Sequence, residues 1–248
     1  MKIVSLNTWG GIAGLDNLLD FFKKNHEVDI FCLQEIFNGG QDDPKEQREP
    51  IESKVYDLLS RLEHAMPDYT LYFRPHLKDY FGLAIAIKKD LEVIEEGEVF
   101  VHKHKGYTAP GALGHHARNI QYVKLFHQGK PLQVINFHGL WNGQGKTDTD
   151  DRLTQSTNIV EYLKTVPGNM VLCGDFNLRP DTESIAMLEN FGLRNLVKEY
   201  GITSTRTSHY TKAEKFADYA FVNPGLGVKD FRVLPDEVSD HAPLLIEI

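Results

Sequence analysis

Acid, amide and imidazole side chains recur in this chain directly after, or just before, short apolar runs. Asn7 follows KIVSL, Glu35 follows DIFCLQ, His138 ends LQVINFH, and Asp175 and Asn177 follow VLCG. Asp218 opens DYAFV, and Asp240 with His241 precedes the last apolar run, APLLIEI. A single Asp or Asn at such a place ordinarily makes a turn or a helix cap. Six placements, with no Ser or Cys nucleophile motif, point instead to groups mounted on rigid strand ends around a ligand. Glu35, Asp175 and Asp240, with the amides Asn7 and Asn177, form a hard oxygen set that suits Mg²⁺, Mn²⁺ or Ca²⁺. Zinc would draw on His and Cys. His102, His104, His115 and His116 cluster, yet no third ligand follows at zinc-like spacing, and 102–118 is rich in Gly, Pro and Lys. That segment reads as a surface loop beside the substrate. The tripeptide Gly145-Lys146-Thr147 ends like a nucleotide-binding phosphate loop. The glycine needed five residues earlier is Leu140, so the match fails and 142–151 reads as a flexible loop.

The elements that would carry these groups alternate between strand-like and helix-like runs, without a linker or an internal repeat. Short β-branched and apolar stretches predict strands at 2–6, 29–33, 69–73, 82–87, 93–101, 119–126, 132–137, 170–173, 217–222 and 244–248. Helical spacing predicts helices at 15–25, 51–65, 148–164 and 182–191. In 148–164 the expected buried stripe is Leu153, Thr157, Val160 and Leu163, with Asp148 or Thr149 as the cap. Several neighbouring strands leave no room for an intervening helix, so the expectation is a mixed sheet system covered by helices.

Composition narrows the class further. The 248 residues are 41% hydrophobic and 25% charged, which excludes collagen-like, low-complexity and disordered chains. Cys32 and Cys173 are too few for a disulfide framework and sit in apolar runs, so they read as reduced core residues. No run approaches the roughly 20 apolar residues of a membrane span, and the opening MKIVSLNTWGG does not resemble a signal peptide. A cytoplasmic, soluble monomer is expected. The net charge of -8 leaves no basic excess, so any polyanion must be met by a local patch or a metal ion.

The blocks SLNTW, CLQE, NFHG, GDFN, ADYAFV and SDHAPL occur in this order along the whole chain. Together they resemble the endonuclease/exonuclease/phosphatase superfamily. That resemblance implies one catalytic domain over 1–248, an α/β four-layer sandwich with two mixed β-sheets face to face and helices outside. It implies that Glu35 is the principal Mg²⁺ ligand, with Mn²⁺ as a substitute, and that Asn7 and Asp240 complete the site. Asp175 would orient or deprotonate the attacking water, Asn177 would hold it and the phosphate, and Asp218 would pair with His241. His138 and His241 would contact the scissile phosphate. Two imidazoles and one divalent ion are the field that phosphoester hydrolysis needs as charge builds on oxygen. Arg118, at the start of RNIQYVKL, is a candidate phosphate contact, because a guanidinium binds two oxygens at once. A surface ion pair is its alternative role.

The expected activity is divalent-metal-dependent phosphoester hydrolysis, on a compact phosphorylated substrate or a nucleic-acid end. A DNA or RNA endonuclease or exonuclease, and a silent phospho-ligand-binding member, are the alternatives. Segments 38–50 and 102–118 are the places where specificity would reside, and Lys103 and Lys105 could meet one or two phosphates.

Overall fold

The structure is a computed structural model and describes residues 1–43, 46, 53–107 and 115–248. The first sheet contains β1 (Lys2–Asn7), β2 (Ile30–Phe37), β3 (Tyr69–Leu77), β4 (Phe81–Lys88), β11 (Asp230–Val233) and β12 (Leu244–Glu247), in the order β11-β12-β1-β2-β4-β3. The second contains β5 (Glu95–His102), β6 (Arg118–His127), β7 (Lys130–His138), β8 (Asn169–Asp175), β9 (Arg194–Asn195) and β10 (Asp218–Val222), in the order β5-β6-β7-β8-β10-β9. Both sheets are mixed: β1 runs parallel to β2 and β7 parallel to β8, and the other pairs are antiparallel. The sheets pack face to face, with β1 and β2 against β7 and β8. Helices α1 (Leu15–Lys24) and α2 (Leu58–Ala65) cover the first sheet. Helices α3 (Asp150–Leu163), α4 (Glu183–Asn190) and the short α5 (Leu196–Glu199) cover the second. This is the α/β four-layer sandwich expected from the sequence.

The central layer is mostly Ile, Leu, Val and Phe, as burial on both faces of a strand requires. It also holds a polar seam. Gln34 Nε2 donates to Asn136 Oδ1 at 2.7 Å, and Asn136 Nδ2 donates to the carbonyls of Leu33 and Ala84 at 2.9 and 3.1 Å. A buried amide costs free energy unless its hydrogen bonds are made, so this network favours one register of sheet on sheet. Cys32 and Cys173 lie in the same layer, both free and buried.

Several expected elements differ in detail. The helix expected at 51–65 begins at Leu58; residues 51 and 52 lie outside the described residues, as do 44–45, 47–50 and 108–114 of the two specificity segments. In α3 the buried face is Arg152, Gln155, Ser156, Ile159 and Leu163, so Thr157 is exposed and Leu153 and Val160 are half-buried. The reason is polar. Arg152 donates to the carbonyls of Leu140 and Thr147, and Gln155 Oε1 accepts from Leu140 N–H, tying the helix to the loop after β7. Thr149 is the N-cap of α3, whereas Asp148 accepts from Glu183 and Ser184 N–H and caps α4. Strands β9 and β11 and helix α5 were not expected; all are of four residues or fewer, too short to show a period. Among the described residues no helix is long and apolar enough to cross a membrane.

Candidate active site

Register alone brings three of the chemical groups side by side. Parallel pairing sets His138 of β7 opposite Asp175 of β8, and antiparallel pairing sets Asp175 opposite Asp218 of β10. Gly174 permits this: its φ is +146° and a Cβ there would stand 1.9 Å from the Phe137 carbonyl oxygen. Asn177 follows in the left-handed region at φ +55°, which Asn tolerates, and its N–H donates to Asp175 Oδ1 at 2.8 Å. Asn7 ends β1 and pairs with Gln34 of β2.

Three one-residue bulges aim further groups. Between Leu33 and Ile36 of β2 the ladder to β4 slips, and Glu35 takes φ +59°. The slip between Pro75 and Leu77 of β3 sets off His76, and one between Phe100 and His102 of β5 lies beside Arg118 of β6. Bulges bend a strand and redirect side chains, and they concentrate beside functional sites. Gly82 sits where β4 passes two of them; a Cβ there would lie 2.5 Å from the Arg74 carbonyl oxygen.

The groups converge on a cleft of about 330 Å³. Asn7 Nδ2 donates to Glu35 Oε1 at 3.1 Å and to Asp175 Oδ2 at 3.0 Å, while its Oδ1 accepts from Trp9 N–H at 2.9 Å. His241 Nδ1 is 2.8 and 2.9 Å from the two oxygens of Asp218, and its Nε2 is 3.5 Å from Asp175 Oδ2 and 3.7 Å from Asp240 Oδ1. His138 Nε2 is 3.7 Å from Asp175 Oδ2 and 3.9 Å from Glu35 Oε1.

Charge in this cleft follows from burial and neighbours. Burial would raise the Asp175 carboxyl, but the nearby His241, with Lys146 and Arg206, outweighs it and holds Asp175 well below the usual carboxylate range. Burial would lower His241, but Asp218 and Asp175 outweigh it and raise the imidazole. For His138 burial wins, aided by Arg118, and the ring falls well below its ordinary value. The two imidazoles expected to supply positive charge are therefore not equivalent: His241 favours the cation and His138 is neutral. Burial, with Asp240 and Asp175 adding to it against Asn7 and His241, raises Glu35.

Arg118 is buried, with no carboxylate within 4.0 Å among the described residues, so it is not a surface ion pair. Burial pushes it down to about 10, so it stays protonated at neutral pH. It lines the cleft with His116. Asn177 is buried; its Nδ2 donates to the Gly139 carbonyl at 3.2 Å and its Oδ1 accepts from Lys146 Nζ at 3.3 Å. Asp240 Oδ2 accepts from Arg206 Nη1 at 3.0 Å, and its Oδ1 is buried without a hydrogen bond among the described residues. Asp175, Asp218 and His241 place ligand atoms within 4.8 Å of one another, a buried cluster that could hold a metal ion.

Sequence reasoning did not nominate Lys146, Arg206, Trp9, Trp141, Tyr210 or Lys212, all of which line the cleft. Lys146 had a signal, the Gly-Lys-Thr discarded as a failed phosphate loop; the loop is not of that type, yet its lysine is buried against Asn177. Arg206 had none, because it reaches Asp240 through an isolated bridge pairing it with His241. Conversely, Lys103 and Lys105 do not line the cleft. They pair with Asp151 and Glu98.

Two face-to-face mixed sheets, with a cleft of carboxylates, imidazoles and cations at their strand ends, define an α/β-sandwich protein. The chain belongs to the Endonuclease/Exonuclease/phosphatase family, whose model matches residues 4–241. Its members are phosphoesterases. No curated protein matches the chain. Among solved structures it is similar to the mannosyl-6-phosphatase of Bacteroides thetaiotaomicron VPI-5482, with 18% identity, a TM-score of 0.77, and coverage of 100% of this chain and 98% of that one. A functionally unknown conserved protein from Enterococcus faecalis V583 gives 20% identity and a TM-score of 0.75 over 100% and 98%. D. rerio TDP2 complexed with a single-strand DNA product gives 16% and 0.69 over 99% and 97%. Identities this low establish the shared fold.

Proposed function

We propose that this protein is a divalent-cation-dependent phosphoesterase acting on a compact phosphorylated substrate or a nucleic-acid end. The observation that carries this reading is one cleft that joins Glu35, Asp175 and Asp240 with Arg118, Lys146 and Arg206, in a chain of net charge -8. A phosphate needs local cations, and here they are gathered in one cleft of a chain with no basic excess. The similarity to a mannosyl-6-phosphatase and to a protein holding a DNA product is consistent with a phosphorylated substrate and does not choose between these two kinds.

Glu35 and Asp240 would hold the cation; Asn7, expected as a third ligand, gives Nδ2–H to Glu35 and Asp175 and its Oδ1 to Trp9 N–H, so it orients the two carboxylates instead. The Glu35 and Asp240 carboxylates fit: Glu35 is raised by burial, with Asp240 and Asp175 adding to it, and Asp240 Oδ1 is a buried oxygen without a hydrogen bond among the described residues, 3.7 Å from His241 Nε2. The alternative cluster of Asp175, Asp218 and His241 fits less well, because Asp218 and His241 already satisfy each other at 2.8 Å. Mg²⁺ suits hard oxygen donors best, with Mn²⁺ as a substitute, and would supply charge to a phosphoryl oxygen. Asp175, ionised, accepts a hydrogen bond from the attacking water and orients it, while the Asn177 N–H holds Asp175 in place. Protonated His241 donates from Nε2 to phosphoryl oxygen as charge builds, and Asp218 keeps that proton available. His138 contributes a neutral ring, and Arg118 and Asn177 complete the phosphate contacts.

Hydrolysis of bis(p-nitrophenyl) phosphate and of p-nitrophenyl phosphate, with Mg²⁺ or Mn²⁺ and with chelator, tests the reaction. Rates on sugar phosphates, small phosphodiesters and plasmid, each from about 50 to 200 mM salt, test the substrate class. Plasmid nicking that collapses over that range would replace the compact-substrate reading with a nuclease one. No hydrolysis of any substrate would overturn the phosphoesterase itself.

A further inference from the structure

Beyond the cleft wall, a line of side chains leads from Arg118 outward through β3, β6 and β5, buried up to Asn119 and ending at the half-buried Glu98, which also pairs with Lys105. Arg118 Nη1 is 3.1 Å from His76 Nε2, and His76 Nδ1 is 3.2 Å from Asn119 Oδ1. Asn119 Nδ2 donates to Glu98 Oε2 at 2.7 Å and to the Arg74 carbonyl at 3.3 Å. Proton positions along the line follow from these partners. Two acceptors fix the amide nitrogen of Asn119, so its oxygen faces His76. Nδ1 of His76 therefore carries the hydrogen, Nε2 is left as a lone pair, and that lone pair accepts from the guanidinium.

We infer that His76 is a positioning residue: it holds the Arg118 guanidinium toward the cleft through the Glu98–Asn119–His76 chain. The inference rests on Arg118 contacting substrate phosphate, as proposed above. The geometry is specific. His76 is the extra residue of the β3 bulge, so an unbulged strand would not bring this ring here. The ring is clamped by His116, stacked at 5.5 Å and 13°, and by the edge of Phe81 at 5.3 Å and 88°. Arg118 has no carboxylate within 4.0 Å among the described residues, so an imidazole, not a salt bridge, orients it. That choice matters chemically. A carboxylate would satisfy the guanidinium and compete with phosphate, whereas a neutral acceptor aims it and leaves its charge for the substrate. Burial and the adjacent Arg118 push His76 well below its ordinary value, in keeping with a neutral acceptor.

Two measurements test this on the full chain. In long-range ¹H–¹⁵N spectra the His76 ring should be the Nδ1–H tautomer and should not titrate between pH 5 and 8. An Nε2–H tautomer, or a ring that protonates in that range, overturns the inference whether or not the protein proves to be an enzyme. In kinetics on bis(p-nitrophenyl) phosphate, His76→Leu should lower kcat/KM about 10- to 100-fold, the size of a lost hydrogen bond to a charged group. His76→Gln, which offers an oxygen to Arg118 and an N–H to Asn119, should recover most of that loss. In an Arg118→Met background, His76→Leu should cost less than about threefold, because the pair acts as one unit. Equal costs in both backgrounds, or His76→Gln as poor as His76→Leu at matched Tm, overturn it. If the unmodified chain hydrolyses nothing, the functional reading fails and the spectra alone decide on His76.

Discussion

His138 and His241 approach the same oxygen, Asp175 Oδ2, at 3.7 and 3.5 Å, and both are buried. Their charge states nonetheless diverge. His241 rests on the Asp218 carboxylate at 2.8 Å, and burial is overcome; His138 has no partner for Nδ1 among the described residues and has Arg118 as a neighbour, and burial prevails. The ring type and its distance from a shared acid do not set its charge. The second contact does. One side of the cleft thus offers a cation and the other a neutral ring beside a guanidinium.

The largest expected effect comes from the acid near both. Glu35→Gln removes charge without volume and should abolish Mg²⁺-dependent turnover with an unchanged circular dichroism spectrum; full activity at sub-millimolar Mg²⁺ would refute the cation assignment. Asp175→Asn removes the acid shared by both rings and should lower kcat/KM by about 10² to 10⁴. A loss under tenfold would mean that the two rings do not meet at the reaction centre.

Asp218→Asn makes His241 resemble His138. The raised His241 should then lose its proton at lower pH, so the alkaline limb of the rate profile moves to lower pH while the acid limb holds. The double variant with His241→Ala should be no worse than His241→Ala alone; additive losses would argue against a dyad. His138→Gln replaces one neutral group by another and should cost about tenfold or less, the size of a neutral hydrogen bond, whereas His241→Gln should cost more. The reverse ranking would invert the comparison.

The smallest effect is on stability. His138 has a depressed folded value, so the folded state binds fewer protons than the unfolded chain below about pH 6.5. Its contribution is present above that pH and lost as pH falls toward the folded value. His138→Gln should therefore lose less Tm than the parent between pH 7 and 5 in calorimetry. An equal loss would mean that His138 protonates readily in the fold.

The candidate site was legible as a set of residues because strand ends are written locally: an apolar run stops, and a polar group follows. Asn7, Glu35, His138, Asp175, Asn177, Asp218 and His241 were all found in this way, and the structure brings them together. Helix α3 was legible as a helix, but its buried face was misjudged by treating polar residues as exposed. Arg152 and Gln155 are buried because the Leu140–Thr147 loop supplies their partners.

What the sequence by itself determined, then, is local: the strand and helix periods, the absence of a basic excess, and which chemical groups stand at strand ends. What only the tertiary structure decided is everything that depends on two distant segments meeting. The bulges that aim Glu35 and His76 are one-residue register slips against β4, invisible in either strand alone. Lys146 and Arg206 lie in irregular loops and become cleft residues only by packing on Asn177 and Asp240. The unequal charges of His138 and His241 were beyond reach for the same reason. A side chain's type is covalent, but its protonation is set by burial and by neighbours that the chain brings together only when it folds.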